Sequence, residues 1–157
     1  MSIPSSIASF WQLFCAAAGE DRSAKFFEAF HFDDNEPSAN ELAGLVLAGV
    51  KQATAGLGWS AEVTGKLPPE PGALSVVTYW SGEPVSVIET LKVEVVPFEQ
   101  VSQSFAATEG EGDGSLEHWR RVHWASFSRE CTRIGREPSK TMPVVCEQFK
   151  VIYWAPR

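Results

Sequence analysis

Gly49-Val50-Lys51-Gln52-Ala53-Thr54 decides how this 157-residue chain is read. The stretch follows an apolar run at helical spacing, Leu42, Leu45, Val46 and Leu47, opened by Pro37-Ser38-Ala39-Asn40-Glu41. It lies where a helix of about residues 39 to 49 ends and the chain turns. Gly49 fits a helix stop, because glycine takes the left-handed conformation that closes a helix at little steric cost. Lys51 fits the partial negative charge on the last helical carbonyls. On spacing alone it is an ordinary surface charge, whose removal is expected to cost roughly 1 kcal/mol or less. A lysine and a threonine hydroxyl three residues apart are also a base and a nucleophile in the making. Both readings stay open at this point.

Working outward, helical and strand patterns alternate. Pro4-Ser5-Ser6 offers caps for a helix over about residues 6 to 18, with Ile7, Phe10, Trp11, Phe14 and Cys15 on one face. Phe26 to Phe32 reads as an aromatic-rich strand closed by Asp33-Asp34-Asn35. Residues 55 to 72, with Gly56, Gly58, Gly65 and Pro68-Pro69, are expected to form a mobile loop. Leu74 to Trp80 and Val85 to Val96 read as strands joined by a turn at Ser81-Gly82-Glu83, with Val85, Val87 and Glu89 on one face. Phe98 to Phe105 reads as a short helix or turn, and a Gly/acid loop follows it. Ser115 then caps a helix over about residues 116 to 134, with an apolar stripe of Leu116, Trp119, Val122-His123, Phe127 and Ile134. Gly135 ends that helix, and Pro143 to Trp154 is the last strand. Strands toward both ends with helices between them make the fold class α+β.

Composition narrows the function classes. Hydrophobic residues make up 44% and charged residues 21%, the balance of a globular domain. No apolar run approaches the roughly 20 residues that cross a bilayer, and no secretory leader pattern opens the chain. The protein is expected to be cytoplasmic, with Cys15, Cys131 and Cys146 as reduced thiols. Those cysteines and His31, His118 and His123 fall in no metal-ligand spacing, so no metal and no organic cofactor is expected. The net charge of −7 excludes strong non-specific binding to duplex DNA, which needs clustered Lys and Arg. A local basic cluster survives in Arg120-Arg121, Arg129, Arg133 and Arg136, so a nucleoside or a short single-stranded RNA is the expected partner.

Four segments in order carry a family resemblance. Asn40 to Ala48 is the helix before the motif, and residues 49 to 54 spell G-x-K-x-x-T. Glu109-Gly110-Glu111-Gly112-Asp113-Gly114-Ser115-Leu116-Glu117-His118-Trp119-Arg120-Arg121 is a Gly/acid loop and helix similar to those of a bacterial subgroup. Met142-Pro143-Val144-Val145-Cys146-Glu147-Gln148-Phe149 is a closing strand. Together they resemble the ASCH family, a branch of the PUA-like β-barrels. The resemblance implies a mixed β-barrel decorated by helices over residues 25–157, with residues 1–24 as a helical segment packed on it. It also implies a nucleoside- or RNA-sized cleft beside the G-x-K-x-x-T turn. Some bacterial members are amidohydrolases of acetylated cytidine that use a Lys/Thr/Glu trio. Ribonuclease activity is also attributed within the family, and PUA-like domains often bind RNA.

Carried onto this chain, the trio is Lys51 as base or electrostatic anchor, Thr54 as nucleophile and an acid of the 109–113 loop as general acid. Glu111 is the preferred acid and Asp113 the next, since Glu109, Glu111 and Asp113 all stand in the loop. Glu89 is a further candidate: on a buried strand face it would need a cation, and Lys51 would serve. Trp119, Arg120 and His123 lie on the helix after the loop and could contact substrate, although a helical Trp and His at this spacing are more often packing residues. Trp59, flanked by glycine, could stack a base.

Overall fold

The computed structural model describes residues 2–154. In chain order its helices are α1 (Ala8–Ala18), α2 (Glu36–Leu47), α3 (Gly58–Thr64), α4 (Gln103–Glu109) and α5 (Leu116–Ile134). Its strands are β1 (Phe26–Phe30), β2 (Ala53–Leu57), β3 (Leu74–Thr78), β4 (Pro84–Pro97) and β5 (Pro143–Trp154). They form one five-stranded mixed sheet in the order β1-β3-β4-β5-β2. β1 runs parallel to β3, whereas β3–β4 and β2–β5 are antiparallel. The α+β fold is the expected one.

The caps explain most helix limits. The Asn35 side chain accepts from Ser38 N at 3.0 Å and Pro37 sits in the first turn, so α2 starts earlier than its apolar pattern. Gly49, at φ 78°, closes it as expected, with Val50 N bonded to Leu45 O at 3.0 Å. Ser115 caps α5 by accepting from His118 N at 3.1 Å, and Gly135 ends it at φ 74°.

Two sequence expectations fail here. The 55–72 stretch is not a loop throughout: β2 runs to Leu57 and α3 follows at once. Its glycines are absorbed by regular structure, since Gly56 pairs with Val145 in the β2–β5 ladder. Gly58 opens α3 where a Cβ would sit 2.9 Å from the Pro143 ring, so only glycine fits. β4 does not alternate as read. Val85, Ser86, Val87 and Ile88 are all buried, as happens when a strand is covered on both faces, while Leu91 and Val95 are exposed.

The chain divides into two interleaved units. In the first (residues 1–50, 70–91 and 149–157), Ile7, Phe10, Trp11 and Phe14 of the N-terminal helical segment pack with Phe26, Leu74, Val76 and Val87. A second cluster in that unit joins Phe32, Ala43 and Val46 to Val77, Val85, Ile88 and Phe149. In the other unit (residues 51–69 and 92–148), Ala53, Leu57, Val101, Phe105, Trp119, Phe127, Met142 and Val144 form the core. Full burial of one such side chain contributes about 1.5–3 kcal/mol. Into this last core the chain also places charged groups.

Candidate functional site

Lys51 is only 1% exposed, and so is Glu109. The Lys51 ammonium donates to Glu109 Oε2 at 2.8 Å, to Glu111 Oε2 at 3.2 Å and to the Ala53 carbonyl at 2.7 Å. The reading of Lys51 as an exposed helix-end charge is therefore corrected. Two residues beyond Gly49, the lysine side chain is buried and not solvent-exposed. Gln52 N, bonded to Thr108 O at 2.9 Å, ties this turn to the last turn of α4.

Glu109 is the acid that sequence reading passed over in favour of Glu111. It is the last residue of α4, with Gly110 beyond it at φ 67°. An acid there faces the negative end of the helix dipole and needs specific compensation. That misfit is the signal that could have found it. Lys51 supplies the compensating charge, and Trp119 Nε1 donates to Glu109 Oε1 at 2.7 Å. Burial alone would raise the Glu109 pKa, but the Lys51 charge and the hydrogen bonds from Glu111, Lys51 and Trp119 hold it below the ordinary glutamate value. Burial likewise disfavours the Lys51 charge, yet the two glutamates outweigh it and raise the lysine pKa. Lys51 is thus kept as a cation. Of the two roles read from the sequence, base or electrostatic anchor, the direction of this shift favours the anchor.

Glu111 behaves differently. Its side chain is 17% exposed, so it is the member of the group that meets solvent. Burial, then the hydrogen bond shared with Glu109, pushes its pKa up to about 7, against the partial opposition of Lys51. The two carboxyls titrate as a coupled pair, with Glu109 shifted down and Glu111 shifted up. The linkage sign follows. Between the ordinary glutamate value of 4.5 and about 7 the folded chain holds a proton that the unfolded chain has lost. Stability from this group is complete below the lower value and is lost as pH rises through the upper one. Denaturation measured across this window should show falling stability with rising pH, and Glu111→Gln should flatten that slope. A slope that survives the substitution would assign it elsewhere.

Trp119 and His123 shape the wall of the site. Their rings stack at 4.2 Å and 13°. His123 Nδ1 lies 2.9 Å from the Trp119 carbonyl, which can only accept, so this nitrogen carries a proton. Its Nε2 is 3.4 Å from Glu109 Oε1. Trp119 is 2% exposed and His123 is buried, so both are held inside the unit as supports for Glu109. Glu109, Glu111 and His123 bring donor atoms of metal-binding type within 4.8 Å of one another. The Lys51 ammonium lies within hydrogen-bond distance of both carboxylates of this set. The Cys146 thiol is pushed up to about 12 by burial, then by the charges of Glu109 and Glu94, and cannot serve as a thiolate nucleophile near neutral pH.

The loop between α4 and α5 is tied by polar contacts. Gln103 Nε2 donates to Gly114 O at 3.1 Å, and its Oε1 accepts from Leu116 N at 2.9 Å. Asp113 is exposed; hydrogen bonding to the Ser115 side chain, then to Ser115 N at 2.9 Å, holds its pKa low. Asp113, read from the sequence as a substrate contact, lies two residues before the Ser115 cap. Gly112, at φ 58°, faces the His118 ring, and a Cβ there would lie 2.3 Å from His118 Nε2. Gly112→Ala should cost about 1–2 kcal/mol from the left-handed backbone alone, and should disturb the placement of Glu111. Denaturation midpoints would check this, and an unchanged midpoint would show that the loop relaxes freely.

The remaining sequence candidates lie elsewhere. Thr54 is half-buried in β2, opposite Glu147 of β5. Its strand neighbours Ala53 and Ala55 pack into the core, so its side chain points to the other face of the strand. No hydrogen bond among the described residues couples it to Lys51, Glu109 or Glu111. Glu89 is half-buried in the first unit, opposite Leu74 of β3. Trp59 lies in α3, packed against the core, with the Arg136 guanidinium carbon 4.9 Å from its ring centroid. One stacking position of that indole is taken by the chain itself. Arg120 is exposed, and its Nη2 donates to the Glu99 carbonyl at 3.1 Å.

Among the described residues no helix is long and apolar enough to cross a membrane. Among curated proteins, no sequence matches the chain. An ASCH domain from Lactobacillus crispatus JV V101 is 37% identical, over 98% of each chain, and superposes with a TM-score of 0.88. A protein from Enterococcus faecalis V583 is 27% identical over 95% of this chain and 89% of its own, with a TM-score of 0.86. The sequence profile of the ASCH domain matches residues 28–153. Profile, solved relatives and fold agree: this chain belongs to the ASCH domain family.

Proposed function

We propose that this ASCH domain hydrolyses acylated cytidine-type nucleosides, with Glu111 as the group that moves the proton. The observation that carries the reading is the Glu111 carboxyl: partly open to solvent and poised near pH 7 beside a charge-balanced Lys51–Glu109 pair. A general acid–base works best when its pKa lies near the working pH. As carboxylate, Glu111 takes a proton from water while the water oxygen bonds to the acyl carbon. As acid, it gives that proton to the exocyclic nitrogen while the C–N bond breaks. Free cytidine and a carboxylic acid leave. Lys51 holds the two carboxyls in place by donating to both. Water is the nucleophile in this scheme, because among the described residues no hydrogen bond activates the Thr54 hydroxyl. Burial of Lys51 counts against the ribonuclease arrangement, in which its charge would have to reach a phosphorane.

The experiment is release of free cytidine from N4-acylated cytidine by the purified chain, followed by chromatography. Product formation that rises through neutral pH and depends on Glu111 supports the reading. No release from any of several acyl groups would overturn it and leave a binding module.

A further inference from the structure

We propose that the groove between α5 and the turn at residues 98–100 binds a nucleoside phosphate, its base lying on Trp124 and its phosphate meeting Arg121 and Lys140. The groove is lined by Phe98, Glu99, Arg120, Arg121, Trp124 and Lys140, and has a volume of about 570 Å³. That falls within the roughly 300–1,000 Å³ of small-molecule sites. Arg120, Arg121 and Trp124 come from one helix at three- and four-residue spacings, so they share a face. Glu99 and Lys140 come from the opposite wall, which is pinned by Phe98 N to Met142 O and Glu99 N to Lys140 O, both at 2.9 Å.

The groove is built in two chemistries. Phe98 is buried and meets Trp124 edge-on, with ring centroids 5.4 Å apart at 65°. This contact fixes the indole while 36% of the residue stays in solvent. A fixed, half-open indole is a platform for a flat heterocycle, and stacking of a base on such a side chain is worth about 1–3 kcal/mol. Beside it stand three cations against the single acid Glu99, on a chain whose net charge is −7. Arg120 is fixed by the Glu99 carbonyl, and Arg121 Nη2 lies 3.2 Å from His118 Nδ1. A concentrated positive field next to an aromatic plane complements a phosphate joined to a base. The overall negative charge opposes a long polyanion, so the occupant is a single nucleotide and not a nucleic-acid strand. None of Lys51, Glu109 or Glu111 lines the groove, and the inference stands apart from the hydrolytic reading.

The test is calorimetric titration of the full chain with adenosine monophosphate, adenosine, inorganic phosphate and an adenine octanucleotide. The monophosphate should bind about 10-fold or more tighter than either of its halves, and more weakly as salt rises from about 50 to 200 mM. Trp124→Ala and Arg121→Glu should each weaken it by about 10-fold or more, while Lys25→Glu, an exposed reversal outside the groove, should leave it unchanged. Arg121 is exposed, so its reversal keeps the test valid if Trp124→Ala loosens the helix. Equal affinity for adenosine, full binding by Arg121→Glu, or tight binding of the octanucleotide without the monophosphate would each overturn the proposal.

Discussion

Lys51→Met is expected to lower stability by about 3–5 kcal/mol, because it leaves the Glu109 charge buried without its cation. For a chain of this length that is a fall in melting temperature on the order of 10 °C. The physics is asymmetric. Lys51 and Glu109, each 1% exposed, have both lost their hydration, and each is the other's buried countercharge. Methionine fills much of the lysine volume, so the loss reports charge and not a cavity. The double variant Lys51→Met/Glu109→Gln should recover most of it. Glutamine is neutral, and its carbonyl can still accept from Trp119 Nε1, which bonds Glu109 Oε1 in the native chain. Urea denaturation of the single variants and the double variant measures the coupling directly. A cost near the surface value of about 1 kcal/mol, as a lysine at a helix exit would give, would mean that water reaches the pair.

Glu111→Gln is expected to reduce cytidine release by about 100-fold or more, the usual size of a lost general acid–base contribution. Its cost in stability at low pH should be small, because the native carboxyl is already neutral there and glutamine copies its shape. The two effects separate by pH. The wild type should gain activity as pH rises through about 7, as the carboxylate that accepts the proton from water forms. The variant should lose that inflection together with its rate. Retention of the inflection would place the titrating group elsewhere. Thr54→Ala serves as the internal contrast: on a water mechanism it should retain activity, whereas loss equal to that of Glu111→Gln would restore threonine as the nucleophile.

The sequence by itself determined the fold class, the limits of α5 and the place of the G-x-K-x-x-T turn. These depend on local rules: a serine cap, a glycine stop, an apolar stripe at helical spacing. It also marked Lys51 and the acids of residues 109–113 as a pair of segments to be joined. It misread residues 55–64, because glycines that signal a loop in isolation are tolerated where β5 pairs with β2 and where Pro143 leaves no room for a side chain beside Gly58. Tertiary structure alone decided which acids meet Lys51, that the lysine is buried, and that burial pushes the Glu111 carboxyl up to about 7. Burial is the physical reason. A charge at a helix exit costs almost nothing in water and several kcal/mol inside a core, so its partners and its protonation are fixed by residues 58 and 60 positions away that no local pattern can name.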